Sequence, residues 1–210
     1  MYYVVSDIHN DNQRLRELLR TISFSADDTL IVLGDLFDRC DYAPDPVGVY
    51  FTLLGLGNQC IVLRGNHDDG LSKYIIDYYD TPERKRQHLA PYPYNSFELI
   101  RSRLTPVDMQ EMAHWILTMP AQIALSVNGI NYLFTHDMET VLQNQSLEEQ
   151  SFLKNGVDGY VSMFGHSNTS NHRIWKNERG NVFCIDCGCG HRSGVLGAIC
   201  LDTGEEFYSN

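Results

Sequence analysis

Five short polar clusters carry most of the chemistry that this chain of 210 residues offers. They are Asp7-Ile8-His9, Gly34-Asp35-Leu36-Phe37-Asp38-Arg39, Arg64-Gly65-Asn66-His67-Asp68, Thr135-His136-Asp137 and Gly165-His166-Ser167, and they hold four of the eight histidines. Carboxylate, imidazole and amide oxygen together make a mixed N/O donor set that suits Mn, Fe or Zn. Side chains two apart on an extended segment face the same way, so Asp7 and His9 can reach one ion. Two such ions about 3.5 to 4 Å apart can activate a water and clamp a phosphoryl group. A pair of ions needs a bridging carboxylate, and Asp35 is the candidate. Asp38, Arg39 and Arg64 are then expected over the same cleft. One histidine or one Gly-Asp pair says little alone; the weight comes from each cluster directly following an apolar run that reads as a strand. His88, His114, His172 and His191 lack that context and read as structural or surface residues.

The elements that must position these clusters are legible from periodicity. Tyr2 to Ser6, Leu30 to Leu33 and Ile61 to Leu63 read as strands, separated by helices marked by Leu15, Leu18, Leu19 and Ile22 and by the run Val47 to Leu56. This strand, loop and helix rhythm predicts parallel strands joined by crossovers. Open sheets of that kind place their sites at the carboxyl ends of the strands. From Asp69 to Leu104 the sequence becomes Tyr-rich and Pro-punctuated, as expected of an inserted lobe or cap. Pro106 can open a helix carrying Met109, Met112, Ala113, Ile116 and Leu117. Ile123 to Val127 and Ile130 to Phe134 flank Asn128-Gly129, a strong hairpin signal. A helix near Leu147 to Leu153 is expected next, then strands at Tyr160 to Phe164, Arg173 to Lys176, Val182 to Ile185 and Val195 to Leu201, with an edge strand at Phe207-Tyr208. The fold class predicted is α/β, with parallel units in the first half, meandering strands in the second, and two packed mixed sheets flanked by helices.

Composition narrows the function. Lys and Arg number 16 against 27 Asp and Glu, a formal charge of −11, which argues against general affinity for nucleic acid or anionic membranes. Any phosphate site must be local. Hydrophobic residues at 43% and charged residues at 20% fit an ordinary globule, and no repeat or linker divides it, so one domain over 1–210 is expected. The amino terminus has no basic head or long apolar run, and no stretch is apolar enough to span a membrane, so a cytoplasmic location is expected. In that compartment the six cysteines read as thiols, not disulfides. Cys184, Cys187 and Cys189 cluster, but strand-like surroundings favour buried or loop thiols over a zinc knuckle. Nothing in the sequence sets the oligomeric state.

With these blocks in hand, the chain resembles the calcineurin-like metallophosphoesterases, and within them the phosphoprotein phosphatases that include bacterial serine/threonine phosphatases and diadenosine tetraphosphate hydrolases. That family's motifs are Asp-x-His, Gly-Asp-x-x-Asp-Arg-Gly, Gly-Asn-His-Asp/Glu, a histidine after an apolar strand, and a late Gly-His. They stand here as Asp7/His9, Gly34 to Arg39, Gly65 to Asp68, His136 and Gly165-His166. Ile185 to Gly190 and Ala198 to Leu201 look like the closing strands. The resemblance implies a four-layer α/β/β/α sandwich and two metal ions, manganese foremost in vitro with iron or zinc as alternatives. It implies one ion on Asp7, His9 and Asp35 and a second on Asp35, Asn66, His136 and His166. It makes His67 the general acid oriented by Asp38, with Arg39 and Arg64 on phosphate oxygens.

Cys40 replaces the usual glycine, Asp137-Met138 replaces a small pair, and the basic residue that relatives place between the last two ligand histidines is represented only by Lys154. The retained Asp38 favours a serine/threonine protein phosphatase, with a dinucleoside polyphosphate or other small phosphoester hydrolase as the alternative. A catalytically silent binding module would have lost a ligand or the acid, and all the expected positions are filled.

Overall fold

The computed structural model describes residues 1–209. Its elements run β1 (Tyr2–Val5), α1 (Asn12–Thr21), β2 (Thr29–Val32), α2 (Pro46–Leu56), β3 (Cys60–Val62), α3 (Asn66–Asp80), α4 (Glu83–Arg86), α5 (Ser96–Arg101), α6 (Pro106–Thr118), β4 (Gln122–Val127), β5 (Ile130–Thr135), α7 (Met138–Gln145), α8 (Glu149–Asn155), β6 (Val161–Phe164), β7 (Trp175–Lys176), β8 (Val182–Cys184), β9 (Leu196–Cys200) and β10 (Glu206–Ser209). They form two five-stranded sheets, ordered β10-β9-β1-β2-β3 and β4-β5-β6-β8-β7. In the first, β1, β2 and β3 are parallel, β9 pairs antiparallel with β1, and β10 pairs antiparallel with β9. In the second, β5, β6 and β8 are parallel while β4 and β7 run antiparallel at the edges.

Burial on both faces explains why β1 and β2 read as unbroken apolar runs. Tyr3, Val5, Leu30 and Val32 face the helices, where they pack with Leu15, Leu18, Leu53, Leu71, Ile75 and Ile116. Val4 and Ile31, which are register partners, face the other sheet and meet Phe134, Met163, Ile185 and Ile199. A third cluster under α7 and α8 contains Leu133, Val141, Phe152, Phe164 and Val182. The layers are therefore helix, sheet, sheet, helix.

Helix starts follow local chemistry. Asp11, Asp45 and Thr105 cap α1, α2 and α6 by accepting from the backbone amides of Arg14, Gly48 and Asp108. Pro46 and Pro106 occupy first-turn positions where no amide donor is needed.

The expected meander of the second half is replaced by a parallel centre. Helix α7, absent from the periodicity reading, carries the chain from β5 over to β6 beside it. Its signal was Asp137, which accepts from the Thr140 amide at 2.7 Å as an N-cap. The stretch 69–104 holds most of α3, then α4 and α5, with Leu71, Ile75, Phe97 and Ile100 buried in the helix-side core.

All six cysteines are free thiols, and the clustered three have separate surroundings. The Cys184 and Cys189 thiols approach the carbonyls of Ser167 and Ile8, while Cys187 lies between the sheets. Among the described residues no helix is long and apolar enough to cross a membrane.

Candidate metal centre

Each of the five clusters lies at the carboxyl end of a parallel strand, and backbone bonds lace these ends together. The amides of Asp7, His9 and Asn10 donate to the carbonyls of Gly34, Asp35 and Leu36. Asp68 accepts from the amides of Asp35, Leu36 and Gly65, tying the second loop to the third. The second sheet joins through the Gly165 amide on the His136 carbonyl and the His166 amide on Asp7 Oδ2 at 3.0 Å.

Close approach explains the glycines. A Cβ on Gly165 would lie 1.9 Å from Ser6 Oγ and 2.2 Å from Asp7 Oδ2, and Gly34 combines a φ of +99° with the Gly65 backbone at its face. The loops are strained elsewhere too. Asp7, His9, Asn10, Asp35, Asp38, Arg39, Cys40 and His166 all have positive φ, a left-handed geometry that concentrates where structure is held against preference. Cys40 has φ 49°, a left-handed conformation that glycine adopts more readily.

The carboxylate and imidazole donors converge in two groups, all of them buried except His166. Asp7, His9 and Asp35 form one, and Asp35, His136 and His166 the other, so Asp35 belongs to both. His9 Nε2 lies 3.7 Å from Asp7 Oδ1 and 3.8 Å from Asp35 Oδ2. His136 Nε2 lies 3.4 Å from Asp35 Oδ1, 3.0 Å from Asn66 Oδ1 and 3.2 Å from His166 Nδ1. Asn66 therefore stands in the second group. His9 Nδ1–H donates to the Phe37 carbonyl and His136 Nδ1–H to the Leu33 carbonyl, both at 2.9 Å. Each bond fixes the ring with Nε2 facing the centre, the orientation that metal-binding imidazoles require.

These groups fit metal ions on two counts. Asp7 Oδ1 and His9 Nε2 are buried polar atoms with no hydrogen-bond partner among the described residues, although they are aimed at a common point. Negative charge is also in excess. Burial, then the charge of Asp186, pushes the Asp7 carboxyl well up, and burial with Asp35 lifts Asp68 to about 7. Burial raises Asp186 as well. Burial draws His9 down to about 4, so it is a neutral donor at ordinary pH. Burial also opposes a proton on His136, but the hydrogen bond and charge of Asp35 outweigh it and raise that imidazole to about 10. A cation is what this cluster of carboxylates lacks.

Next to the donors sits a separate pair. His67 Nδ1 is 2.9 Å from Asp38 Oδ2, both residues are buried, and Arg39 Nη2 lies 3.4 Å from His67 Nε2. Tyr92 donates to the same Asp38 oxygen at 2.7 Å, and the Tyr94 ring packs on His67 with centroids 4.6 Å apart. Arg64 is differently engaged: Nε faces Asp69 Oδ1 at 3.4 Å and Nη1 donates to the Leu117 carbonyl at 3.1 Å.

Nine of the ten singled-out residues thus meet at the strand ends, and Arg64 is turned along α3 toward the end of α6. Sequence reading missed Tyr92, Ser96 and Asn10. Ser96 Oγ accepts from the Asp38 amide and from the Asn10 side chain, locking the second loop to α5. It also left Asp186 without a role, although its place just beyond β8 matched the strand-end rule. Tyr92 and Ser96 had no comparable signal, because their contacts come from chain far away in sequence.

Comparison with known proteins agrees with this geometry. The calcineurin-like phosphoesterase family model matches residues 2–188. A symmetrical bis(5'-nucleosyl)-tetraphosphatase of Proteus mirabilis is 37% identical over 143 residues, covering 61% of this chain and 51% of that protein. The catalytic subunit of serine/threonine-protein phosphatase 6 of Caenorhabditis elegans is 31% identical over 86 residues, 40% of this chain and 26% of that protein. The chain thus spans about half, or less, of the length of these curated relatives. Two solved structures share the fold. A candidate diadenosine tetraphosphatase has a TM-score of 0.66 at 19% identity, covering 99% of this chain and 91% of that one. A serine/threonine phosphatase from Saccharomyces cerevisiae has a TM-score of 0.59 at 14% identity, covering 100% and 79%. With the family model spanning nearly the whole chain and its motifs meeting at one place in the fold, this protein belongs to the calcineurin-like phosphoesterase family.

Proposed function

We propose that the protein is a dinuclear metal-dependent phosphomonoester hydrolase that acts on phosphoserine and phosphothreonine in proteins. The observation that carries this reading is the buried His67–Asp38 pair at 2.9 Å beside the two donor groups. An alkoxide is a poor leaving group and departs readily only when a positioned acid protonates it. Hydrolysis of an alkyl phosphate needs that acid, whereas an ester with a stable leaving anion does not.

The residues divide the work. Asp7, His9 and Asp35 would hold one ion, and Asp35, Asn66, His136 and His166 the other. Bound there, the ions supply positive charge to the phosphoryl oxygens and make a water acidic enough to attack near neutral pH. His67 presents Nε2 toward the leaving oxygen and passes it a proton. Asp38 fixes the ring by accepting from Nδ1–H. Arg39 offers a planar fork to the phosphate oxygens, and Arg64 would join it only by turning from Asp69 and the Leu117 carbonyl. Arg64 shares its charge with Asp69, so Arg39→Lys is expected to lower kcat/KM more than Arg64→Lys, with metal content unchanged in both.

The test compares His67→Asn with the parent on a phosphoserine peptide and on p-nitrophenyl phosphate, with metal content measured. Loss of the acid should cost about 10² to 10⁴ in kcat on the peptide and far less on the aryl ester. Equal losses would assign His67 to the metals or the phosphate and remove the support for alkyl ester chemistry. A second reading, hydrolysis of dinucleoside polyphosphates, is supported by the similarity to the symmetrical tetraphosphatase. Faster turnover of diadenosine tetraphosphate than of any phosphopeptide would favour it.

A further inference from the structure

Two pockets open from the metal centre and share Asn66 at their common edge. One, about 500 Å³, has His67 in its wall and is lined by Tyr74, Tyr92, Pro93 and Tyr94, with Lys73 and Asp77 also lining it. The other, about 420 Å³, runs past His166 and is lined by Asp137, Glu139 and Glu149 without a lysine or arginine. The aromatic pocket is built from segments brought together in the tertiary fold. The Tyr74 ring lies 5.1 Å from Tyr92 and 4.7 Å from Phe97, while Tyr92 lies 5.8 Å from Tyr94, so the rings brace one another. Tyr94 rests on His67 yet remains 47% exposed, an aromatic face left uncovered beside the acid.

Any group bonded to the leaving oxygen must extend from His67. A pocket that includes His67 in its wall is therefore placed to contact whatever the leaving group carries. Uncovered tyrosine rings favour a flat ring, which can stack or meet them edge to face. The local charge decides what bears that ring. A dinucleoside tetraphosphate would bring several further negative charges, and beyond the ions and Arg39 at the centre the two pockets offer them little positive charge. Among the described residues Lys73 is the one lysine or arginine lining either pocket, and it is held 2.6 Å from Asp69 Oδ2, the carboxylate that also engages Arg64. The far pocket has three carboxylates in its wall, Asp137, Glu139 and Glu149. A peptide brings one phosphate and otherwise little negative charge.

Resting on the phosphoprotein reading above, we propose that the pocket of Tyr74, Tyr92, Pro93 and Tyr94 binds an aromatic side chain flanking the phosphoserine or phosphothreonine of the substrate. The site then selects phosphopeptides by sequence. The aromatic residue lies within a few positions of the phosphorylated one, because the pocket wall and the acid share His67.

The experiment uses the Mn²⁺-loaded protein and a set of phosphoserine peptides with Trp, Phe or Ala placed one or two residues to either side. Peptides with an aromatic residue on one side should show kcat/KM about fivefold to tenfold above the Ala peptide. Tyr74→Leu and Tyr94→Leu should bring that ratio close to one. The ratio is the readout because either change can also disturb His67, and such damage affects both peptides alike. Tyr94 is half exposed, so its variant tests the pocket even if Tyr74→Leu fails to fold. Binding of phosphonate analogues of the same peptides, measured by calorimetry, repeats the comparison without turnover. Binding that favours the aromatic peptides without hydrolysis of the phosphopeptides would keep the pocket and overturn the phosphatase reading. Equal kcat/KM and equal binding for all peptides would overturn the pocket assignment. Preference for diadenosine tetraphosphate over every peptide, lost in both tyrosine variants, would replace the side chain with a nucleobase and overturn the proposal.

Discussion

Asp35 faces His9 with one carboxylate oxygen and His136 with the other, at 3.8 and 3.4 Å, so it alone belongs to both donor groups. Asp35→Asn is therefore expected to lower metal content at both sites, whereas Asp7→Asn should weaken one. Elemental analysis after dialysis against trace Mn²⁺ checks this, and two retained equivalents in Asp35→Asn would exclude the bridge. His136 adds a pH dependence. Asp35 holds its imidazole proton up to about 10 against the effect of burial, so at pH 7 an ion reaching Nε2 must displace a proton. Loading should release protons at pH 7, and release from this group should disappear as pH passes 10. Calorimetry in buffers of different ionisation enthalpy measures it. His9, drawn down to about 4 by burial, contributes none at neutral pH.

Single elements decide how firmly the loops are held. Asp45 caps α2 through the Gly48 amide, accepts from the Asn12 side chain and pairs with Arg103 from the turn before α6. Asp45→Ala should cost about 1 kcal/mol of stability, as loss of a helix cap does. Burial opposes ionisation of Asp45, but these partners hold its carboxyl below the ordinary 3.8. The folded state therefore binds this proton less readily than the unfolded chain. The stability from Asp45 is complete above pH 4 or so and fades as pH falls through the folded value. The difference in urea midpoint between the parent and Asp45→Ala should shrink from pH 7 to pH 3; a constant difference would leave only the uncharged part of the cap. At the end of β6, Gly165→Ala would drive a methyl into Ser6 and Asp7. Metal content should fall in that variant before thermal stability does.

At the scale of the whole molecule, the centre is a store of electrostatic repulsion that a cation relieves. Asp7, Asp35, Asp68 and Asp186 are all nearly inaccessible to solvent, at 0, 1, 0 and 2% exposure. Ions that bind only the folded state should stabilise it by about 2.7 kcal/mol at a free concentration a hundred times Kd. For a chain of this size that is a rise in Tm of roughly 5 to 10 °C. Chelation should reverse it and abolish turnover. Asp7→Asn should melt higher than the parent in chelator and lower in excess Mn²⁺, because it removes a buried charge and a ligand together. An unchanged Tm difference in the two conditions would rule out this charge coupling.

Strand-end clusters, the parallel first half and nine of the ten residues at the centre were readable in the sequence because each depends on short-range pattern. Unbroken apolar runs mark β1 and β2, and the donors follow within a few positions of a strand end, as in Asp7 and His9 or, just after Gly65, Asn66 and His67. Helix α7 left only its Asp137 cap as a trace, and without it the parallel β5, β6 and β8 read as a meander. Tertiary structure alone decided the rest. Tyr92 reaches Asp38 across 54 positions of chain, Ser96 reaches the Asp38 amide across 58, and the Arg64 guanidinium lies on the Leu117 carbonyl 53 positions away. Such contacts leave no periodicity, because they are set by how helices packed on the first sheet bring their loops over the strand ends. The aromatic pocket beside His67 belongs to that second kind of information: its tyrosines are visible in the sequence, and their common face exists only once α3 and the Pro91 to Tyr94 turn are packed over the centre.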